Sequence, residues 1–74
     1  MQDSNERLVS PAEARRMCGG LSAATVHRLR QAGAFPRAVV LGRDRRGKPV
    51  RIAYVESELH RWIAERIQTG RQAA

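Results

Sequence analysis

The 74-residue chain has one cysteine, Cys18, so no intrachain disulfide can form, and that thiol reads as a small apolar residue closing a helix. Its two histidines, His27 and His60, stand far apart, and with a single cysteine they lack the ligand spacing of a structural zinc site. No metal and no cofactor are expected. Aromatic residues number three, Phe35, Tyr54 and Trp62. All three are needed for a core, which leaves none to stack unpaired bases and disfavours single-stranded RNA as a partner. No apolar run approaches the roughly 18 residues of a membrane span, and no secretory h-region opens the chain. The chain is therefore expected to be cytoplasmic, with no membrane partner. No carboxylate pair, nucleophile with its base, or phosphate-binding loop can be assembled from these residues, so the chain is not expected to be an enzyme.

Acidic residues are also scarce, at seven Asp and Glu against fourteen Lys and Arg, giving a net charge of +7 and a pI near 11.5. The surface field favours a polyanion, and nucleic acid is the leading partner. A protein-interaction module for an acidic partner fits the same charge and is kept as a competing class. The hydrophobic fraction of 42% argues against wholesale disorder. A chain this short makes one domain and buries only about 60% of its unfolded surface.

Two helix starts are legible. Ser10-Pro-Ala-Glu13 is a capping box in which Ser10 caps, Pro11 takes the first helical position and Glu13 reaches back to the cap N–H. That helix runs through Ala14 and Met17 to Cys18 and stops at Gly19-Gly20. Ser22 caps a second helix that ends at Gly33 in the left-handed conformation. Val26 and Leu29 form its apolar stripe, with Leu21 before the cap, and Ser22, Ala23, Thr25, His27, Arg28 and Gln31 lie largely elsewhere. Two helices joined by so short a turn make a helix-turn-helix unit with the second helix as its recognition helix.

Beyond Gly33, Phe35 plugs the core and Pro36 forbids helix. Ala38 to Leu41 and Val50 to Val55 read as two strands joined by a basic loop over 42–49, a projecting wing. The loop carries Arg43, Arg45, Arg46 and Lys48, and Arg51 follows on the return strand. A mobile tip can follow a backbone but cannot hold a base-reading geometry. The last helix starts near Glu56 or Ser57. Leu59, Trp62, Ile63 and Ile67 make its apolar stripe, Trp62 is expected to be the largest core residue, and Thr69-Gly70 is expected to stop the helix. The expected fold is α+β, a small winged helix-turn-helix in the order helix, helix, strand, strand, helix. A flexible tail over 1–7, a domain over 8–69 and a frayed end over 70–74 complete the division.

With these elements placed, the chain resembles the AlpA-like prophage regulators, which are related to phage excisionases and to the DNA-binding part of the MerR group. The resemblance is carried by Gly20-Leu-Ser22, Thr25-Val-His-Arg-Leu29, Gly33-Ala-Phe-Pro36, Leu41-Gly42 and the run Glu56 to Arg66. Ala23 and Ala24 depart from it, standing where the family often has a basic residue and then Ser. Tyr54 stands where Trp is common, and the wing is longer and more basic than usual.

The resemblance implies double-stranded DNA as partner, a transcriptional regulator of phage or mobile-element origin, and the second helix in the major groove. An excisionase that bends attachment-site DNA is the alternative, with an integrase or further copies of the chain on adjacent sites as partners. Within this reading Ser22 and Ala23 at the helix start meet a phosphate or a base methyl, and Thr25, His27, Arg28 and Gln31 face base edges. Arg30, Arg43, Arg45, Arg46, Lys48 and Arg51 meet phosphates. His27 also reads as a plain exposed histidine.

Overall fold

Ser10 and Ser22 start the first two helices as the sequence requires. The computed structural model describes residues 6–73. Helix α1 spans Pro11–Met17, and the Ser10 hydroxyl accepts the Glu13 N–H at 3.1 Å. The reciprocal half of the capping box does not form. The Glu13 carboxylate instead takes the guanidinium of Arg16 at 2.7 Å, a charged partner one turn along an exposed face. Gly19 and Gly20, at φ +89° and +80°, turn the chain away while the Gly20 N–H returns to the Arg15 carbonyl at 2.8 Å.

Helix α2 spans Ala23–Gln31. The Ser22 hydroxyl accepts the Thr25 N–H at 3.1 Å, which satisfies one of the orphan donors of the first turn. At the other end Gly33 takes φ +70°, its N–H bonds the Arg30 carbonyl at 3.0 Å, and the Ala34 N–H bonds the Leu29 carbonyl at 2.8 Å. This is a Schellman close, and it delivers Phe35 into the core.

Strand β2 covers Val39–Arg43 and β3 covers Pro49–Val55, so both reach further toward the tip than expected and the loop shrinks to 44–48. They pair antiparallel, with Val39 opposite Ala53 and Val40 opposite Ile52, and the register shifts near Gly42. The sequence is compatible with two roles for Leu8 and Val9, a staple or a strand. They form β1, a two-residue strand pairing antiparallel with β3 in a sheet of order β1-β3-β2.

Residues 6 and 7 are bonded to the start of the last helix. The Glu56 N–H donates to the Arg7 carbonyl at 2.8 Å, and the Ser57 hydroxyl donates to the Glu6 carboxylate at 2.7 Å. The part of the expected tail over 1–5 lies outside the described residues.

Helix α3 follows β3 without a loop and spans Glu56–Ala73, so Gly70 does not stop it. A glycine ends a helix when the chain turns left-handed there, and Gly70 lacks the positive φ of Gly33. The core gathers Val9, Ala14, Val26, Phe35, Tyr54 and Leu59 from five elements and the turn after α2. Its largest fully enclosed side chains are Tyr54 and Leu59. Trp62, expected to be the largest core residue, packs against the core half-buried at its rim. Its indole N–H donates to the Ala34 carbonyl at 2.7 Å, and its ring meets Phe35 edge-on at 5.0 Å. A polar N–H that finds its acceptor on a turn holds the ring at the edge. Ile67, one turn beyond Ile63 on the predicted stripe, is 50% exposed because α3 runs past the body at that point.

Candidate nucleic-acid interface

The faces of α2 follow from its helical spacing once Val26 is buried and Leu29 half-buried on the core side. At 3.6 residues per turn, Ala24 and Gln31 point away from the core, with His27 and Arg28 on either side of them. Ala24, which departs from the family pattern, stands at the middle of the outward face.

The two flanks differ in chemistry. One carries a polar row: the Ser22 hydroxyl donates to the Thr25 hydroxyl at 3.0 Å, and the Arg28 guanidinium lies 3.5 Å from the same Thr25 oxygen. Arg28 is thereby laid along the helix toward its N-terminus, where the Ala23 and Ala24 N–H groups are the first of the helix. The other flank carries Ala23, His27 and Arg30 and faces the hairpin.

Arg30 is where helix and hairpin meet. It borders a depression of about 720 Å³ shared with His27, Gln31 and Arg37. It also borders one of about 350 Å³ shared with Lys48, Val50 and Arg51. Sequence reasoning misses Arg37, and it misses Arg15 of α1, which shares a third depression with Ala23, His27 and Arg30. Neither residue belongs to α2 or the hairpin, and only the tertiary fold brings them alongside.

The tip of the hairpin is a closed turn. The Asp44 carboxylate accepts the backbone N–H groups of Arg46 and Lys48, each at 2.9 Å. The Gly47 N–H bonds the Asp44 carbonyl at 3.0 Å, and Gly47 takes φ +82°. This is a four-residue turn ending in a left-handed glycine, a common way to join antiparallel strands. The Arg43 guanidinium folds back and donates to the Gly47 carbonyl at 2.7 Å, so it braces the turn. Arg45 and Arg46 occupy the turn's two central positions, and their side chains are exposed.

Among the described residues the ion pairs are Arg7 with Glu56 and Arg16 with Glu13. The cations of α2 and the hairpin have no carboxylate partner there. Ser22, Ala23, His27, Arg28, Arg30, Gln31, Arg43, Arg45, Arg46, Lys48 and Arg51 are all exposed, and Thr25 is half-buried beside its cap. No group of three or more His, Cys, Asp or Glu among the described residues is placed to hold a metal ion. No helix there is long and apolar enough to cross a membrane.

The sequence profile of the prophage CP4-57 regulatory protein, AlpA, matches residues 7–67. The chain belongs to the AlpA family. The match starts at Arg7, whose carbonyl accepts the Glu56 N–H, and covers every element from β1 through β3 and the first two thirds of α3. AlpA-type proteins are regulatory, which accords with a small basic domain whose charged side chains are displayed and not enclosed. No curated protein and no solved structure matches the chain.

Proposed function

We propose that this AlpA-family protein binds double-stranded DNA as a sequence-preferring regulator of prophage or mobile-element genes. Helix α2 enters the major groove and the hairpin lies on an adjacent backbone or minor groove. The observation that carries this reading is the junction at Arg30, where the polar face of α2 and the basic hairpin share one surface with no carboxylate partner among the described residues. A groove about 12 Å wide admits one α-helix, and the spacing of α2 then offers Ala24, His27, Arg28 and Gln31 to base edges. Ser22 and the first N–H groups of α2 meet a phosphate on one wall; Arg30, Lys48 and Arg51 meet the other, and Arg45 and Arg46 reach on from the tip. With Ala23 and Ala24 contributing only methyl contacts, much of the affinity comes from phosphates and so depends on salt.

A protection footprint on DNA flanking the protein's own gene finds the site. Protection over a promoter supports regulation, whereas tandem sites beside an integrase attachment site make the protein an excisionase. Affinity is then measured against salt on that site and on random duplex. Replacing Arg45 and Arg46 together with Ala lowers both affinities by similar factors and flattens log affinity against log salt by roughly one unit for each phosphate no longer neutralised. Arg28→Ala weakens the preferred site by about 1 to 3 kcal/mol more than random DNA, as expected for a base contact. An unchanged salt slope removes the hairpin from the interface, and equal losses on both DNAs make Arg28 a phosphate contact.

A further inference from the structure

Between α1, α2 and β3 the surface dips into a notch of about 310 Å³ whose floor is the core itself, formed by the buried residues Ala14, Val26, Phe35 and Tyr54. Ile52 extends this apolar floor, and Arg15, His27 and Arg30 stand at the rim. The volume falls at the small end of the ~300–1,000 Å³ range of ligand pockets, and an apolar floor with a few polar groups at the edge is their usual chemistry.

Two further features give the notch a preference. Arg15 is half-buried and has no carboxylate partner among the described residues, so a partly desolvated cation stands beside an apolar cavity with nothing to neutralise it. Tyr54 is only 2% exposed, yet its hydroxyl makes no hydrogen bond to a described residue. No fully enclosed polar side-chain atom there lacks a partner, so that hydroxyl keeps its small exposure, and Tyr54 borders the notch. We infer that the notch is a binding site for a small apolar carboxylate of about the size of benzoate. Its ring lies on the floor, and its carboxylate takes charge-assisted hydrogen bonds at the rim from Arg15 and Arg30. A bare phosphate meets the same cations but has nothing to place on Val26, Phe35 and Ile52.

The site needs no DNA to exist. Its consequence rests on the DNA-binding reading above: a carboxylate seated there neutralises Arg30 and fills the notch beside Ala23 and His27 of α2, so it is an effector that releases DNA.

Amide shifts of the full chain, followed by NMR at constant ionic strength, test the site without DNA. The probes are benzoate, acetate (the charge without the ring) and benzyl alcohol (the ring without the charge). Benzoate is expected to saturate, to move Ala23, Val26, Ile52 and Tyr54 together, and to bind at least about tenfold more tightly than either control. Arg15→Gln and Arg30→Gln each weaken benzoate by about tenfold and leave benzyl alcohol unchanged. Ala23→Leu, at an exposed position, fills the mouth and abolishes binding while circular dichroism stays that of the wild type. Acetate matching benzoate, shifts spread over every exposed arginine, or full binding by Ala23→Leu overturns the site. In the second arm, benzoate lowers DNA affinity of the wild type, and Arg15→Gln needs about tenfold more benzoate for the same loss. DNA affinity unmoved by saturating benzoate overturns the effector role, and absence of DNA binding with benzoate still bound overturns only the DNA reading.

Discussion

Trp62 ties α3 to the turn after α2 through one hydrogen bond and one ring edge, and both partners lie in the Ala34-Phe35 step. Trp62→Phe keeps an aromatic ring against Phe35 but leaves the Ala34 carbonyl to water, at a cost of about 1 kcal/mol. Trp62→Ala removes the ring as well and costs about 2 to 4 kcal/mol, less than at a sealed core position and still a large share of the stability of so small a domain. Urea unfolding followed by circular dichroism measures both. A folded Trp62→Phe that had lost DNA binding would move Trp62 from the fold into the interface. Cys18 tests the same region from the end of α1. Burial pushes its thiol above the ordinary value, so the folded state holds the proton more tightly than the unfolded one. The stability this confers is present below the unfolded-state thiol pKa and is lost as pH rises through the folded one. Iodoacetamide at neutral pH should therefore label Cys18 more slowly in the native chain than in urea, and equal rates would show the thiol to be open.

Two glycines separate the hairpin from the last helix as elements, because one has a backbone only glycine adopts easily and the other does not. Gly47 closes the Asp44 turn at φ +82°, so Gly47→Ala is strained there although nothing lies within 4 Å of the added methyl. It should destabilise by about 1 kcal/mol. Gly70 lies within α3, again with open space around it, and Gly70→Ala should stabilise by a few tenths up to about 1 kcal/mol. Thermal melts of the two variants should move in opposite directions. If Gly70→Ala destabilised, the helix would end at Thr69 as the sequence suggests. The hairpin is legible from its β-branched strands and turn residues, but its length is not. Pro49 opens β3 opposite Arg43, a place where a missing N–H is tolerated at a strand start.

For the molecule as a whole, a net charge of +7 on a body only 19 Å through in its shortest dimension places its cations within reach of one another. Two ion pairs among the described residues do little to offset that repulsion. Salt shortens the screening length from about 30 Å at 0.01 M to about 8 Å at 0.15 M, so the melting temperature should rise over that range. DNA affinity should fall over the same range, since counterion release weakens with added salt. A melting temperature that fell with salt would show that attractive pairs, and not repulsion, dominate the surface.

Caps and stops are written locally: Ser10, Ser22, Gly19-Gly20 and Gly33 each act through backbone groups within one turn, and so they determine where α1 and α2 begin and end. The apolar spacing of Val26 and Leu29 likewise determines which side of α2 turns inward, and the basic run at 43–48 sets the character of the hairpin. What needed the folded chain was every relation between residues distant in sequence. The pairing of Leu8 and Val9 with β3, the seat of Trp62 at the rim, and the placing of Arg15, Arg37 and Lys48 in three depressions that all border Arg30 depend on how α1, α2 and the sheet pack. A helical period tells which face a residue occupies, but the neighbour of that face is chosen by the shape complementarity of the whole core.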